Sequence, residues 1–252
     1  MIIHTQKELD GLLRIGQVCA QTLLHMAKHV EPGITTRQLD AIGAAFLQKH
    51  NAQSAPITAY KYPGWTCISV NDEAAHGIPG ERVIRAGDVV NIDVSAVLEG
   101  YWGDTGATLL VPPIQPAYQN LADQTIKALQ AGIAATKVNA PIYEIGRAIE
   151  GVAKKGNYNL IRELAGHGVG RNIHETPSVF NYYTRKARET LTEGLVITIE
   201  PFLTKGKGRI YTAKDGWTLR TIDNVVAAQY EHTVVVMGDS PILATKTDET
   251  WW

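Results

Sequence analysis

Residues 5 to 29 carry apolar side chains at helical spacing: Leu9, Leu12, Leu13, Val18, Leu23 and Leu24. Thr5 followed by Glu8 has the spacing of a capping box, so a helix is predicted to start there. Pro32-Gly33 breaks the pattern, and Thr35 or Thr36 caps a second helix that runs to about His50. From Pro56 to Val111 the texture changes to short strands with Gly and Pro turns. Residues 117 to 136 and 141 to 155 return to helical spacing. A glycine-rich stretch, "AGHGVGRNIHETP", fills 165 to 177, and strands with turns fill 194 to 236. No linker, low-complexity segment or block of charge divides the chain, which predicts one domain over 1–252.

Helix, helix, strands is followed by helix, helix, strands, and the two series correspond in detail. Val30 to Ile34 and Val138 to Ile142 share spacing, each with a proline before a helix. His76-Gly-Ile-Pro79 parallels His174-Glu-Thr-Pro177. "GDVVNID" (87–93) parallels "GLVITIE" (194–200), with an acid six residues after the glycine in both. The expected fold class is therefore α+β, with two related halves over roughly 5–111 and 117–236. Each half would place a carboxylate on a strand behind an H-x-x-P turn.

Strands disfavour aspartate, yet "GDVVNIDVSAVLEGYWGDTGATLLV" contains Asp93 and Asp104. A two-residue hairpin loop at Glu99-Gly100 pairs Leu98 with Tyr101 and Ser95 with Asp104. Asp93 then shares a face with Ser95 and is the diagonal neighbour of Asp104, roughly 7–8 Å away along the backbone and closer at the tips. A three-residue loop would turn one aspartate to the other face. Like charges so placed repel, and a cation between them reverses the sign of the interaction.

Other residues of ligand type break strand-like runs elsewhere. His167 lies between glycines, Glu200 ends "GLVITIE", and Glu231 interrupts "AAQYEHTVVVM". Four carboxylates and one imidazole are too rich in oxygen for a structural zinc site. They suit two divalent metals (Mn, Fe, Co or Zn) about 3.5–4 Å apart, which acidify a bridging water into a hydroxide. That chemistry points to hydrolysis of an amide or ester. His76 and His174, in matching H-x-x-P settings, are candidates to donate to a developing oxyanion. His232 should point away from Glu231, and His4, His25, His29 and His50 are expected at the surface.

Composition narrows the picture further. The net charge of −1 argues against a broad nucleic-acid-binding surface. Cys19 and Cys67 form no spaced pair, which fits a reducing compartment. No signal peptide and no membrane span is visible, so a soluble, cytoplasmic protein is expected; a monomer is expected alongside.

The chain resembles the type I methionine aminopeptidases of the pita-bread metallopeptidase group, over about Thr5 to Met237. The resemblance is carried by "SVNDEAAHGIPG", "GDVVNIDVSAVLEGYWGDTGAT", "AGHGVGRNIHETP", "ITIEPFL" and "AAQYEHTVVV". It implies a pita-bread fold, in which antiparallel sheets are covered by helices. It also implies metal ligands at Asp93, Asp104, His167, Glu200 and Glu231, with Asp104 and Glu231 shared by both ions. Catalytic roles fall on His76, His174 and Glu200, and Thr198 should touch the bridging water or its ligands. Tyr62, Cys67, His76, His174 and Trp217 fall where the family binds its substrate. The implied activity is removal of N-terminal methionine from peptides and nascent proteins before small second residues. The family often carries a tyrosine three residues before the one matching Tyr62; here that place is Ala59, with Tyr60 beside it. Two other readings stand beside this one: a Xaa-Pro dipeptidase of the same fold, and a non-enzymatic binding protein of that fold.

Overall fold

The computed structural model describes residues 1–238 and 240–252. Its first half runs α1 (Gln6–Ala27), α2 (Thr36–Lys49), β1 (Gln53–Ser54), α3 (Ala55–Tyr60), β2 (Cys67–Val70), β3 (Glu73–Ala75), β4 (Val89–Leu98) and β5 (Tyr101–Leu110). The second begins with α4 (Pro116–Ala134), α5 (Tyr143–Lys155), β6 (Asn159–Leu160), β7 (Ala165–Gly168), β8 (Glu175–Phe180) and β9 (Val196–Ile199). It ends with β10 (Phe202–Thr204), β11 (Ile210–Thr212), β12 (Leu219–Thr221), β13 (Ala227–Gln229), β14 (His232–Val235) and β15 (Ile242–Leu243).

The helix starts follow from local chemistry. Glu8 N–H donates to Thr5 Oγ1 at 3.3 Å, and Thr5 N–H donates back to Glu8 Oε2 at 3.2 Å. Thr35, not Thr36, caps α2 by the same reciprocal arrangement with Gln38. The buried stripe of α1, including Leu12, Ile15, Cys19, Leu23 and Met26, packs on the β4–β5 hairpin. Burying each such side chain contributes about 1.5–3 kcal/mol relative to leaving it exposed. One contiguous apolar core runs from Leu12 to Trp252.

The β4–β5 ladder is unbroken from Val89↔Leu110 to Leu98↔Tyr101. Its two-residue turn puts Glu99 at φ +52° and Gly100 at φ +79°, the doubly left-handed geometry that matches strand twist. Ser95 faces Asp104 and Asp93 faces Gly106, so both aspartates share one face, as the loop length predicts. β2 pairs with the other edge of β4, with Cys67 opposite Asp93. The second main sheet has the order β15-β14-β9-β7-β8. The two sheets are stitched at the site: Glu231 N–H donates to Gly106 O at 2.9 Å, and Asp104 N–H to Thr233 Oγ1 at 3.0 Å. The β11–β12 hairpin reaches back to pair with β3, and Arg220 clamps it to Asp72 and Glu73 at 2.8 and 2.6 Å.

Three expectations change. Residues 55–60 form a helix instead of strand, because Pro56 fits a helical first turn and Ser54 Oγ accepts from Ile57 N–H at 3.3 Å. The segment around His174-Glu-Thr-Pro177 enters strand β8 directly, whereas His76-Gly-Ile-Pro79 follows β3 as irregular chain. His25 and His50 are half-buried because both rings pack on Phe46, His50 stacked and His25 tilted. Among the described residues no helix is long and apolar enough to cross a membrane.

Candidate metal centre

Where the two sheets meet they leave a cavity of about 780 Å³. Asp93, Asp104, His167, Glu200 and Glu231 all line it, together with Tyr62, Cys67, His76, His174 and Trp217. The structure thus brings every sequence-predicted site residue to one cavity. Asp104, His167 and Glu231 each offer one ligand atom within 4.8 Å of the others. His167 Nε2 lies 3.7 Å from Asp104 Oδ2 and 3.4 Å from Glu200 Oε1. Glu200 stands one residue past β9, and Glu231 sits between β13 and β14, so both glutamates occupy strand ends.

Local sequence explains how His167 is held. A Cβ at Gly166 would meet Thr198 O at 2.4 Å, and one at Gly168 would meet Thr176 O at 2.3 Å. Only glycines let β7 lie this close to its neighbours. His167 N–H donates to Thr198 Oγ1 at 3.0 Å, and its Nδ1 faces Gly168 O at 2.9 Å. The proton therefore belongs on Nδ1, which leaves the Nε2 lone pair turned toward the carboxylates.

The glutamates are oriented by a shared device. Thr198 Oγ1 donates to Glu200 Oε1 at 2.9 Å, and Gln229 Nε2 donates to Glu231 Oε2 at 2.9 Å. Each donor is two residues before its acid, on the same side of an extended chain. Gln229 is itself fixed by Asn91 Nδ2, which donates to its Oε1 at 2.8 Å. Thr198 touches the ligand set as the resemblance implies, whereas sequence reasoning missed Gln229. The signal that could have found it is the i, i+2 spacing that picked out Thr198. Replacing Gln229 with Ala frees a buried carboxylate to rotate, so metal affinity should fall about 10- to 100-fold with the fold retained. Calorimetric titration of the metal-free variant, with circular dichroism as control, checks this.

The electrostatics test whether a cation fits. Burial pushes the Asp93 carboxyl up to about 6. Asp104, Glu200 and Glu231 are raised well above the usual carboxylate range, first by burial and then by one another's charge. Burial takes His167 down to about 3, so it is neutral and a ligand. Asp104 Oδ1 and Glu231 Oε1 are buried without a hydrogen-bond donor among the described residues. Among the described residues no lysine or arginine lines the cavity. Unpartnered buried carboxylate oxygens around a neutral imidazole are the donor set that a divalent cation satisfies.

The pocket beside this cluster is built by both halves. Tyr62 is buried, its hydroxyl donating to Gly77 O at 2.6 Å, and Trp217 meets it edge-on with centroids 5.2 Å apart. Burial keeps the Cys67 thiol protonated, so it serves as a small soft wall. His76 and His174 open onto the cavity, and burial lowers the pKa of both. His232 points away, with Nδ1 at 2.8 Å from Thr245 Oγ1.

Paired sheets that present buried carboxylates and a neutral imidazole to one cavity define a metal-dependent hydrolase. The chain belongs to metallopeptidase family M24, whose sequence pattern spans residues 10–237, and it has that family's pita-bread fold and its use of divalent metal. Within the family it is 43% identical over 251 residues to a methionine aminopeptidase of Staphylococcus epidermidis, covering 99% of this chain and 100% of that protein. The crystal structure of methionine aminopeptidase from Rickettsia prowazekii superposes with a TM-score of 0.94 at 37% identity, over 98% of this chain and 100% of that one. A prolidase from Pyrococcus furiosus shares the fold alone, with a TM-score of 0.78 at 22% identity and 66% of its length covered.

Proposed function

We propose that this chain removes N-terminal methionine from peptides and nascent proteins, as a single catalytic domain built from two duplicated halves. The observation that carries the reading is the adjoining pair of sites. An apolar pocket walled by Tyr62, Cys67 and Trp217 opens beside the carboxylate–histidine cluster. A full-length likeness to proteins named for this activity supports it.

Asp93, Asp104, His167, Glu200 and Glu231 would hold two divalent ions of the Co, Mn, Fe or Zn kind. When bound, such ions acidify water to a nucleophile at neutral pH and polarise a carbonyl. The protein's own groups do the rest. Tyr62, Cys67 and Trp217 enclose the methionine side chain and set the scissile bond against the carboxylates. His174, with His76, donates to the oxyanion that develops on the scissile carbonyl. Glu200, steadied by Thr198, takes a proton from the attacking water and passes it to the leaving amine. Free, buried Cys19 and Cys67 fit action in a reducing cytoplasm, and a monomer supplies every residue of the site.

Substrate comparison tests the reading. Metal-replete protein should release free methionine from Met-Ala-Ser and leave a Xaa-Pro dipeptide intact. Cleavage of the dipeptide with Met-Ala-Ser untouched would assign the chain to the dipeptidases instead.

A further inference from the structure

The cleft is crossed by a contact that no sequence motif marks. Six-residue helix α3 ends at Tyr60, and Lys61 follows with a left-handed φ of +58°. That turn sends the tyrosines on either side of Lys61 in different directions. Tyr62 goes inward to the Gly77 carbonyl. Tyr60 stays 45% exposed and reaches the other half of the molecule, where its hydroxyl meets His174 Nδ1. The two residues are 114 positions apart in sequence, and their rings lie with centroids 5.5 Å apart. Tyr60 is the hydrogen-bond partner of the His174 ring among the described residues.

We propose that Tyr60 is a positioning residue that holds the His174 imidazole with its proton on Nε2, turned to the cavity. This rests on the reading of His174 as the oxyanion donor. A neutral imidazole carries one proton, so a ring whose Nδ1 accepts from a phenol must carry that proton on Nε2. Burial, with the charge of Asp104, raises the Tyr60 hydroxyl, which keeps it protonated and able to donate. The His167 and His174 rings meet edge-on with centroids 4.2 Å apart, so the His174 ring has a second contact besides Tyr60. Without the hydroxyl, both tautomers become accessible, and one of them presents a lone pair to a developing negative charge.

The geometry also accounts for Tyr60 as a side chain. The end of α3 is secured without it, by Lys61 N–H on Ile57 O at 3.0 Å and by buried Tyr62. An exposed tyrosine that the local fold does not need is free to serve a residue across the cleft.

Three variants of the metal-loaded protein test this: Tyr60→Phe, His174→Ala and the double variant, assayed on Met-Ala-Ser. Tyr60→Phe keeps the ring and loses one neutral hydrogen bond, so kcat should fall roughly threefold to tenfold with KM nearly unchanged. In the His174→Ala background the same change should have no further effect. Nitrogen-15 NMR of the zinc-loaded protein should show His174 protonated on Nε2 in the native chain and as a tautomer mixture in Tyr60→Phe. An unchanged kcat with an unchanged tautomer overturns the proposal, as does an equal loss with and without His174. Full activity of His174→Ala would instead sink the oxyanion role, and the tautomer signal alone would then decide the placement by Tyr60.

Discussion

Replacing Asp104 with Asn should abolish peptide hydrolysis while making the metal-free protein more stable. Asp104 lies on β5, 6% exposed, with Oδ1 unpaired and Oδ2 at 3.7 Å from His167 Nε2. An amide of the same shape keeps the hairpin and its Thr233 contacts, which run through the Asp104 backbone. It removes the charge that two ions would share. Metal activation is worth several kcal/mol, so turnover with replete metal should fall at least about a thousandfold. Without metal the same charge is a liability, because it is buried beside Glu231 and Asp93. Relieving that repulsion should raise Tm by ~2–4 °C for each kcal/mol gained. Calorimetric melting and peptide turnover on one preparation separate these effects. A variant that is both unstable and inactive would show only a damaged fold, and full activity would remove Asp104 from the site.

The second large effect is a pH dependence that metal cancels. Asp93, Asp104, Glu200 and Glu231 have folded pKa values above their unfolded ones. A carboxyl shifted this way is bound to more protons in the folded chain, so its contribution is lost as pH rises through the folded pKa. His76, His167, His174 and His232 are shifted down, His167 to about 3 and His232 to about 4. Their contribution has the opposite slope: it is lost as pH falls from the usual histidine value through the folded one. The two sets oppose each other between about pH 4 and 6.5, where histidines still titrate in the unfolded chain. Above that window the opposition from the histidines fades, and the carboxyls are joined by the buried thiols of Cys19 and Cys67, which burial also raises, in favouring lower pH. The metal-free protein should therefore lose stability as pH rises above about 6.5. Bound metal replaces the protons and should flatten that limb, with protons released on binding. Melting curves across this range with and without metal, and binding heats in buffers of different ionisation enthalpy, measure both. A flat metal-free limb would mean that the carboxylates already have counter-charges.

Much of this site could be read from local rules. The Glu99-Gly100 turn sets the β4–β5 register, so the shared face of Asp93 and Asp104 followed from counting. Thr5 and Glu8 marked the start of α1 because a capping box is a contact within four residues. Helix α3 escaped because six residues carry no helical periodicity, and its only cues are Ser54 and Pro56. Gln229 escaped because its partners include Asn91, 138 residues away. Tyr60 escaped for the same reason, since its contact is made across the cleft to His174, 114 residues away. The β11–β12 arm that lays Trp217 on Tyr62 depends on an ion-paired clamp between the halves, which no stretch of sequence displays.

In the proposed function, two divalent ions held by Asp93, Asp104, His167, Glu200 and Glu231 would drive release of N-terminal methionine. This is tested most directly by titrating Mn, Co, Fe or Zn into metal-free protein while measuring free methionine from Met-Ala-Ser. The expected result is no release without metal, and binding that saturates at two ions per chain with methionine released in the loaded enzyme. Release that is independent of metal, or none with any of the four metals despite full binding, would contradict it.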